Sequence, residues 1–340
     1  MQTSGIDRDD PCPCGSGRLF RHCCLGREDA APPRPGAAHH SESLRSVLQG
    51  RQFNSLEEVQ AFVTAFVQRE NRRALDDFQG LSPDQMHCVL YLPFASPDLV
   101  HIPEVLDASP SAPILKLFSL LADAIGAQGL KPTAKGNLPR KVCREAALAY
   151  WGEATHRERT RFGDIHSEAD FDELHATRLV AELAGLIRRH RGRLILGRDC
   201  RRLLAGDGLG AIYPRLFRAY VERFNWAYRD GYPELGFIQR AFLFTLYLLA
   251  RHGGTWRPQR FYEDAFLRAF PMILNEAPSW PLTTPEEIVR RCYSRRTLVQ
   301  FADFLGLAAV EPVAGQFPSL EYRVQALPLL ARAVVFQHTG

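Results

Sequence analysis

Four of the eight cysteines in this 340-residue chain fall within residues 12–24, as Cys12-Pro13-Cys14 and Cys23-Cys24. Two close pairs on one short segment can set four soft donors at tetrahedral angles around a divalent zinc ion. This end of the chain is therefore expected to fold around a metal, with little hydrophobic core of its own. Between the pairs, Gly15-Ser16-Gly17 supplies a turn that tolerates unusual backbone angles, and Phe20 can cover one side of the metal. His22 directly precedes the second pair and is the one competitor for a ligand position. A four-cysteine site leaves no open coordination position, so the metal would be structural. Disulfides are the rival chemistry, but residues 1–10 are polar and acidic with no apolar leader, which points to a reducing, cytoplasmic setting.

Residues 9–26 closely resemble the SEC-C motif, the small zinc module at the C-terminal tail of the bacterial translocation ATPase SecA. The family pattern is Cys-x-Cys, eight residues, then Cys followed by Cys or His, with Pro inside the first pair and Gly-Ser-Gly after it; this sequence satisfies every element. Arg18, Phe20, Arg21 and His22 match the basic and aromatic character of the loop. The resemblance implies that Cys12, Cys14, Cys23 and Cys24 bind Zn2+ and that the module docks a protein partner, a chaperone or the ribosome. A further option is contact with nucleic acid through Arg18, Arg21 and His22.

Behind the motif, a hydrophobic content of 46% and a charged content of 24% describe an ordinary globular body, long enough for two or three domains. The longest apolar stretch, residues 241–250, is half of what a bilayer-crossing helix needs, so it reads as buried core and predicts no membrane insertion. The net charge of +4 does not by itself demand nucleic acid. Lysine occurs only at 116, 131, 135 and 141, against 38 arginines, and three of the four cluster.

The expected organisation is a zinc module (1–28), a Pro/Ala-rich tether (29–42) that includes His39-His40, and two helical domains, 43–205 and 206–340. Helical spacing of apolar residues predicts helices over 56–78, 114–125, 138–151, 170–189, 209–228, 235–251, 260–270, 285–293 and 296–305. Another is expected from Pro83, with Ser82 as its cap. Two segments, 121–142 and 183–204, each run helix, turn, short strand, glycine, basic helix, and read as a weak repeat. Residues 301–330 read as a strand leaving a helix, a turn, a returning strand and a short helix. The fold class expected is mainly α with small β-hairpins, built of winged-helix-like units preceded by a zinc knuckle. Residues 129–140 also resemble a region of uncharacterised bacterial proteins related to a plasmid-encoded ORF-3-like family.

Winged helices contact DNA through a helix in the major groove and through basic wing residues on phosphates. On that reading the candidate contacts are Lys131, Lys135, Arg140 and Lys141, together with Arg188, Arg189, Arg191, Arg193, Arg198, Arg201 and Arg202. The bland alternative is that these cations are solvated helix faces. No helix is basic and polar in the manner of a base-reading element. Asp164, His166, Glu168, Asp170, Asp172, Glu173 and His175 form an acidic and histidine cluster that reads better as a helix start than as a metal site. Cys88, Cys143, Cys200 and Cys292 read as buried thiols, and Trp226, Tyr228, Tyr232 and Phe237 as core. The chain has no P-loop, no Gly-x-Ser-x-Gly and no His-Glu-x-x-His. The expected function is non-catalytic binding, with the zinc module on a protein and the body on nucleic acid or protein. The alternative is an enzyme of unknown reaction with its site in the helical body.

Overall fold

The computed structural model describes residues 47–48, 51–107, 109–232, 235–278, 281–313 and 321–337. The chain divides into a unit of residues 1–71 and a unit of residues 72–340. In the first, helix α1 (Leu56–Arg72) opens with Glu57 and Glu58 where the helix dipole favours carboxylates. The Ser55 hydroxyl accepts from the Glu58 amide at 3.2 Å, and the Glu58 carboxylate accepts from the Asn54 amide at 2.8 Å. The Phe53 and Phe62 rings meet tilted at 51° with centroids 5.5 Å apart, and the Arg51 guanidinium lies 4.4 Å above the Phe62 ring.

The second unit is mainly helical with small antiparallel sheets. Helix α2 (Pro83–Tyr91) starts as its sequence predicts: the Ser82 hydroxyl accepts from the Gln85 amide, the Gln85 side chain accepts from the Ser82 amide, and Pro83 takes the first helical position. A two-residue strand β1 (Val100–His101) follows. Next come α3 (Pro113–Ile125), α4 (Arg140–Arg159, kinked at Gly152 where φ is 76°), α5 (Asp172–Leu183), the antiparallel hairpin β2 (Ile187–His190) and β3 (Arg193–Leu196), and α6 (Arg198–Ala205). Between α3 and α4, Leu130 forms an antiparallel bridge with Leu194 of β3.

After α7 (Leu209–Glu222) and α8 (Phe237–Arg240), the same order recurs. It runs through α9 (Phe242–His252), β4 (Arg257–Pro258), α10 (Gln259–Ala269), α11 (Pro285–Tyr293) continuing as the π-helix Ser294–Asp303, and the hairpin β5 (Ala308–Pro312) and β6 (Tyr322–Ala326). The sheet order is β4-β6-β5, so the early strand again lies beside the second strand of the hairpin. A short α12 (Pro328–Ala333) leads into β7 (Val335–Phe336), which pairs with β1.

This topology revises the repeat expected from sequence. Segments 121–142 and 183–204 are two parts of one arrangement, joined where Leu130 meets Leu194. Its true counterpart runs from α9 to β6. Helix α5 also stops at Leu183, short of the expected 189, because Gly185 adopts φ 72° and ends the helix in the left-handed region. The segment after it becomes β2.

One hydrophobic core runs through the unit, with Phe118, Phe171, Phe217, Phe244, Phe266 and Phe301 among its largest fully buried side chains. The apolar stretch at 241–250 forms most of α9 and is buried from 241 to 249; among the described residues no helix is long and apolar enough to cross a membrane. Trp226 is buried against Phe301 at 4.6 Å and donates its indole N–H to the Tyr220 carbonyl at 2.8 Å. Tyr228, expected in the core, is 61% exposed.

At Gly129, φ is +72°, and an added Cβ would lie 2.8 Å from Ile195 Cγ2 and 2.9 Å from the Leu194 carbonyl oxygen. Gly129→Ala is therefore expected to cost about 2 kcal/mol through left-handed strain and overpacking. A urea midpoint equal to that of the wild type would show that the 129–131 segment does not close on β3.

Candidate functional site

The cationic residues singled out in the sequence gather around the β2–β3 hairpin. Residues 187–202 contain seven arginines and a histidine against one carboxylate, Asp199. Pairing sets Arg188 opposite Ile195 and His190 opposite Arg193, and alternation along a strand puts these four on one face. Ile187 and Leu194 occupy the other face and are buried. The bridge at Leu130 brings Lys131 beside Arg193, whose guanidinium donates to the Gly129 carbonyl at 2.8 Å. Arg189 donates to the Gly136 carbonyl at 3.0 Å, which seats the loop carrying Lys135 on the hairpin.

The hairpin turns in two residues, Arg191 (φ 46°) and Gly192 (φ 74°). Two positive φ values are the requirement of a type I′ turn, where Asn-Gly is the favoured pair. Arginine at the first position carries a left-handed strain of about 1 kcal/mol, and its side chain stands at the tip.

The remaining candidates divide by what they already bind. Arg140 donates from Nε to the Ile165 carbonyl and from its terminal nitrogen to Asp164, both at 3.0 Å, so it fastens α4 to the following loop. Lys141 lies 3.8 Å from Glu145, and Arg202 lies 3.3 Å from Asp199. Lys131, Lys135, Arg188, His190, Arg191, Arg198 and Arg201 are exposed and have no carboxylate partner among the described residues. His190 was not among the sequence candidates; the alternation Arg188-x-His190 was the signal that could have found it.

Neither helix that precedes a hairpin offers a comparable surface. In α5, Arg178 is buried and the half-buried positions are Asp172, Glu173, His175, Leu179 and Glu182. In the π-helix, Arg296, Thr297 and Gln300 are buried and Arg295 is exposed. On the second hairpin, Arg323 is neutralised by Glu311 at 2.6 Å.

The acidic and histidine cluster is a structural network built around a buried carboxylate. Glu168 is fully buried and accepts from Arg178 Nε at 2.6 Å, from His175 Nδ1 at 2.9 Å and from the Leu138 amide at 2.6 Å. An ionised carboxylate only accepts, so Nδ1 carries a proton toward Glu168, and Nε2 lies 2.9 Å from the Tyr228 hydroxyl. Burial alone pushes the Glu168 carboxyl up; its three hydrogen bonds and the Arg178 charge outweigh this and hold it below the usual carboxylate range. Asp170 is held low by the Ser167 and His166 amides, and Asp164 by the Ile165 amide and its arginine neighbours. Among the described residues no group of three or more His, Cys, Asp or Glu could hold a metal ion.

Cys143, Cys200 and Cys292 are buried thiols as expected, Cys88 is half-buried, and burial pushes Cys143 up to about 12 and Cys200 up to about 11. Cys12, Cys14, His22, Cys23 and Cys24, with the rest of the zinc module, lie outside the described residues, as do Arg18, Arg21, His39 and His40.

Comparison with known proteins separates the same two regions. The SEC-C motif matches residues 9–26, and the Y4jL N-terminal domain matches residues 110–209, the span of α3 to α6 with the basic hairpin inside it. Over 23 residues the chain is 74% identical to the protein translocase subunit SecA of Chloroflexus aggregans, a stretch that covers 7% of this chain and 2% of that protein. No solved structure matches the chain. The chain therefore carries a SEC-C motif ahead of a mainly helical body, part of which is similar to the Y4jL N-terminal domain.

Proposed function

We propose that this chain is a non-catalytic binding protein, an accessory or regulatory factor whose zinc-held SEC-C module docks a protein partner while its body binds nucleic acid. The observation that carries the reading is the SEC-C match at residues 9–26 with all four thiols in place. The donor set fits zinc: four thiolates saturate a tetrahedral ion, which supplies a fold to a segment with few apolar residues of its own. Cys12, Cys14, Cys23 and Cys24 would hold it, in a reducing, cytoplasmic setting. By the resemblance to the SecA tail, the partner is a chaperone or the ribosome.

For the body, two winged-helix units are the favoured reading. It is supported by the recurring order of helix, short strand, two helices and hairpin, and by the return of the short strand beside the second strand of each hairpin. The exposed cations around the first hairpin favour nucleic acid over protein.

Metal analysis of the purified chain should give about one zinc per chain, lost in Cys23→Ser. Chelation should leave the main thermal transition of the body in place, because a tether separates it from the module. Metal-free protein, or a large downward shift of that transition on chelation, would count against the module as drawn. Docking is checked by co-sedimentation with purified ribosomes and by pull-down with a purified chaperone, both at high salt. Cys23→Ser should lose whichever partner the wild type retains.

A further inference from the structure

The nucleic-acid half of the proposed function can be narrowed to one element, and the following rests on that reading. We propose that the β2–β3 hairpin is the contact, with Lys131, Arg188, His190, Arg191 and Arg198 laid along the sugar-phosphate backbone of a duplex, and that no helix of the body reads bases.

The argument begins with what is occupied. A base-reading helix needs exposed polar or cationic side chains to reach base edges. Helix α5 presents Asp172, Glu173 and Glu182, which repel phosphate, and its one arginine is buried against Glu168. The π-helix has its polar residues Arg296, Thr297 and Gln300 inside the core. Both positions are consumed by tertiary structure.

The hairpin is the reverse case. The four named cations and His190 are exposed and have no carboxylate or side-chain hydrogen-bond partner among the described residues. The hairpin is also held in shape: Arg193 ties the Gly129 loop, Arg189 ties Gly136, and the Arg188 stem passes over Gly197, where a Cβ would meet its Cδ at 3.7 Å. A two-stranded ribbon ending in a two-residue loop is narrow enough to lie in a groove.

The chemistry of the face selects its ligand. Membrane surfaces need apolar anchors next to the cations, and protein interfaces need an apolar or aromatic centre. Residues 187–204 contribute no exposed large hydrophobic residue. A row of phosphodiesters needs only charge, and arginine forks suit phosphate oxygens. Arg191 supplies a further mark. It holds a turn position that favours asparagine, so its charge stands at the tip against the local backbone preference.

The test is a salt titration of the full chain on short labelled duplexes of DNA and of RNA, comparing wild type with the triple variant Arg188→Gln/Arg191→Asn/Arg198→Gln. Affinity at low salt should fall about tenfold or more, and the slope of log K against log salt should shrink by about 2 to 3, roughly one phosphate per removed charge. Arg295→Gln and Arg268→Gln should leave binding unchanged, and changing the duplex sequence should change nothing. Equal binding to DNA and RNA assigns the ligand to phosphate charge alone, and preference for one assigns it to that backbone geometry; either supports the hairpin. Arg191→Asn alone should weaken binding while keeping or raising the melting temperature, which separates a binding role from a structural one. If duplex binding is intact in the triple variant, the hairpin assignment is overturned and the nucleic-acid reading stands. If the wild type binds neither duplex at low salt, both fall; binding to anionic vesicles that the triple variant loses would then give the face to a membrane.

Discussion

Arg296→Ala is expected to lower the unfolding free energy by about 3–5 kcal/mol, because it strands a buried charge. The Arg296 side chain is 1% exposed and the Asp230 side chain is fully buried. Two parallel bonds join them, at 2.5 and 2.6 Å, and the guanidinium also donates to the Leu235 carbonyl at 2.7 Å and the Tyr232 carbonyl at 2.6 Å. After truncation, Asp230 keeps the Tyr232 amide at 3.0 Å, and the Tyr232 and Leu235 carbonyls each lose the guanidinium while keeping a backbone amide. Arg296→Lys should recover only part of the loss, since an ammonium cannot reproduce the planar fork. The double variant Arg296→Met/Asp230→Leu should be more stable than Arg296→Ala, because removing both charges avoids the desolvated remnant. Urea unfolding followed by circular dichroism checks all three. A single-variant loss below about 1 kcal/mol would mean that water reaches Asp230.

Glu168→Ala should cost about 3 kcal/mol at neutral pH. It leaves Arg178 buried with Glu182 as its remaining carboxylate and deprives the Leu138 amide of its acceptor. The pH dependence has a definite sign. The folded carboxyl titrates below its unfolded value, so its contribution is complete above the ordinary carboxylate range and is lost as pH falls through the folded value. Wild-type stability should therefore decline on the acid side of about pH 5, and Glu168→Ala should decline less steeply there. Parallel acid-side slopes for the two proteins would show that Glu168 is not the group responsible.

Much of this architecture was legible in the chain because its signals are local. Ser82-Pro83 with Gln85 specified a capped helix start, the apolar run at 241–250 specified a buried helix, and residues 301–330 specified a hairpin followed by a short helix. What escaped depends on distant partners. Nothing in the period of residues 129–131 shows that they meet β3, so two parts of one arrangement read as two copies. Nothing in the helix expected over 296–305 marks Arg296, Thr297 and Gln300 as buried; they are dry because Asp230, the Tyr293 carbonyl and the Arg229 carbonyl meet them inside. Glu168 read as part of a helix start for the same reason, since the Leu138 amide and the α5 side chains His175 and Arg178 converge on it only in the fold. The cations around β2–β3 were visible, but their division into free and occupied was not: Arg140 differs from Arg198 only through Asp164 and the Ile165 carbonyl.

The return of an early strand to a late hairpin sets an order of events during synthesis. Helices α3, α4 and α5 leave the ribosome before β3, and until β3 emerges Leu130 has no strand to join. The same delay recurs for β4, which waits for β6. Hairpins close in microseconds once made, whereas contacts distant in sequence must first overcome loop-closure entropy. Each early strand should therefore pair in a late step when the second strand of its hairpin appears, and a chain halted before Arg193 or Tyr322 would leave Leu130 or β4 without its partner strand.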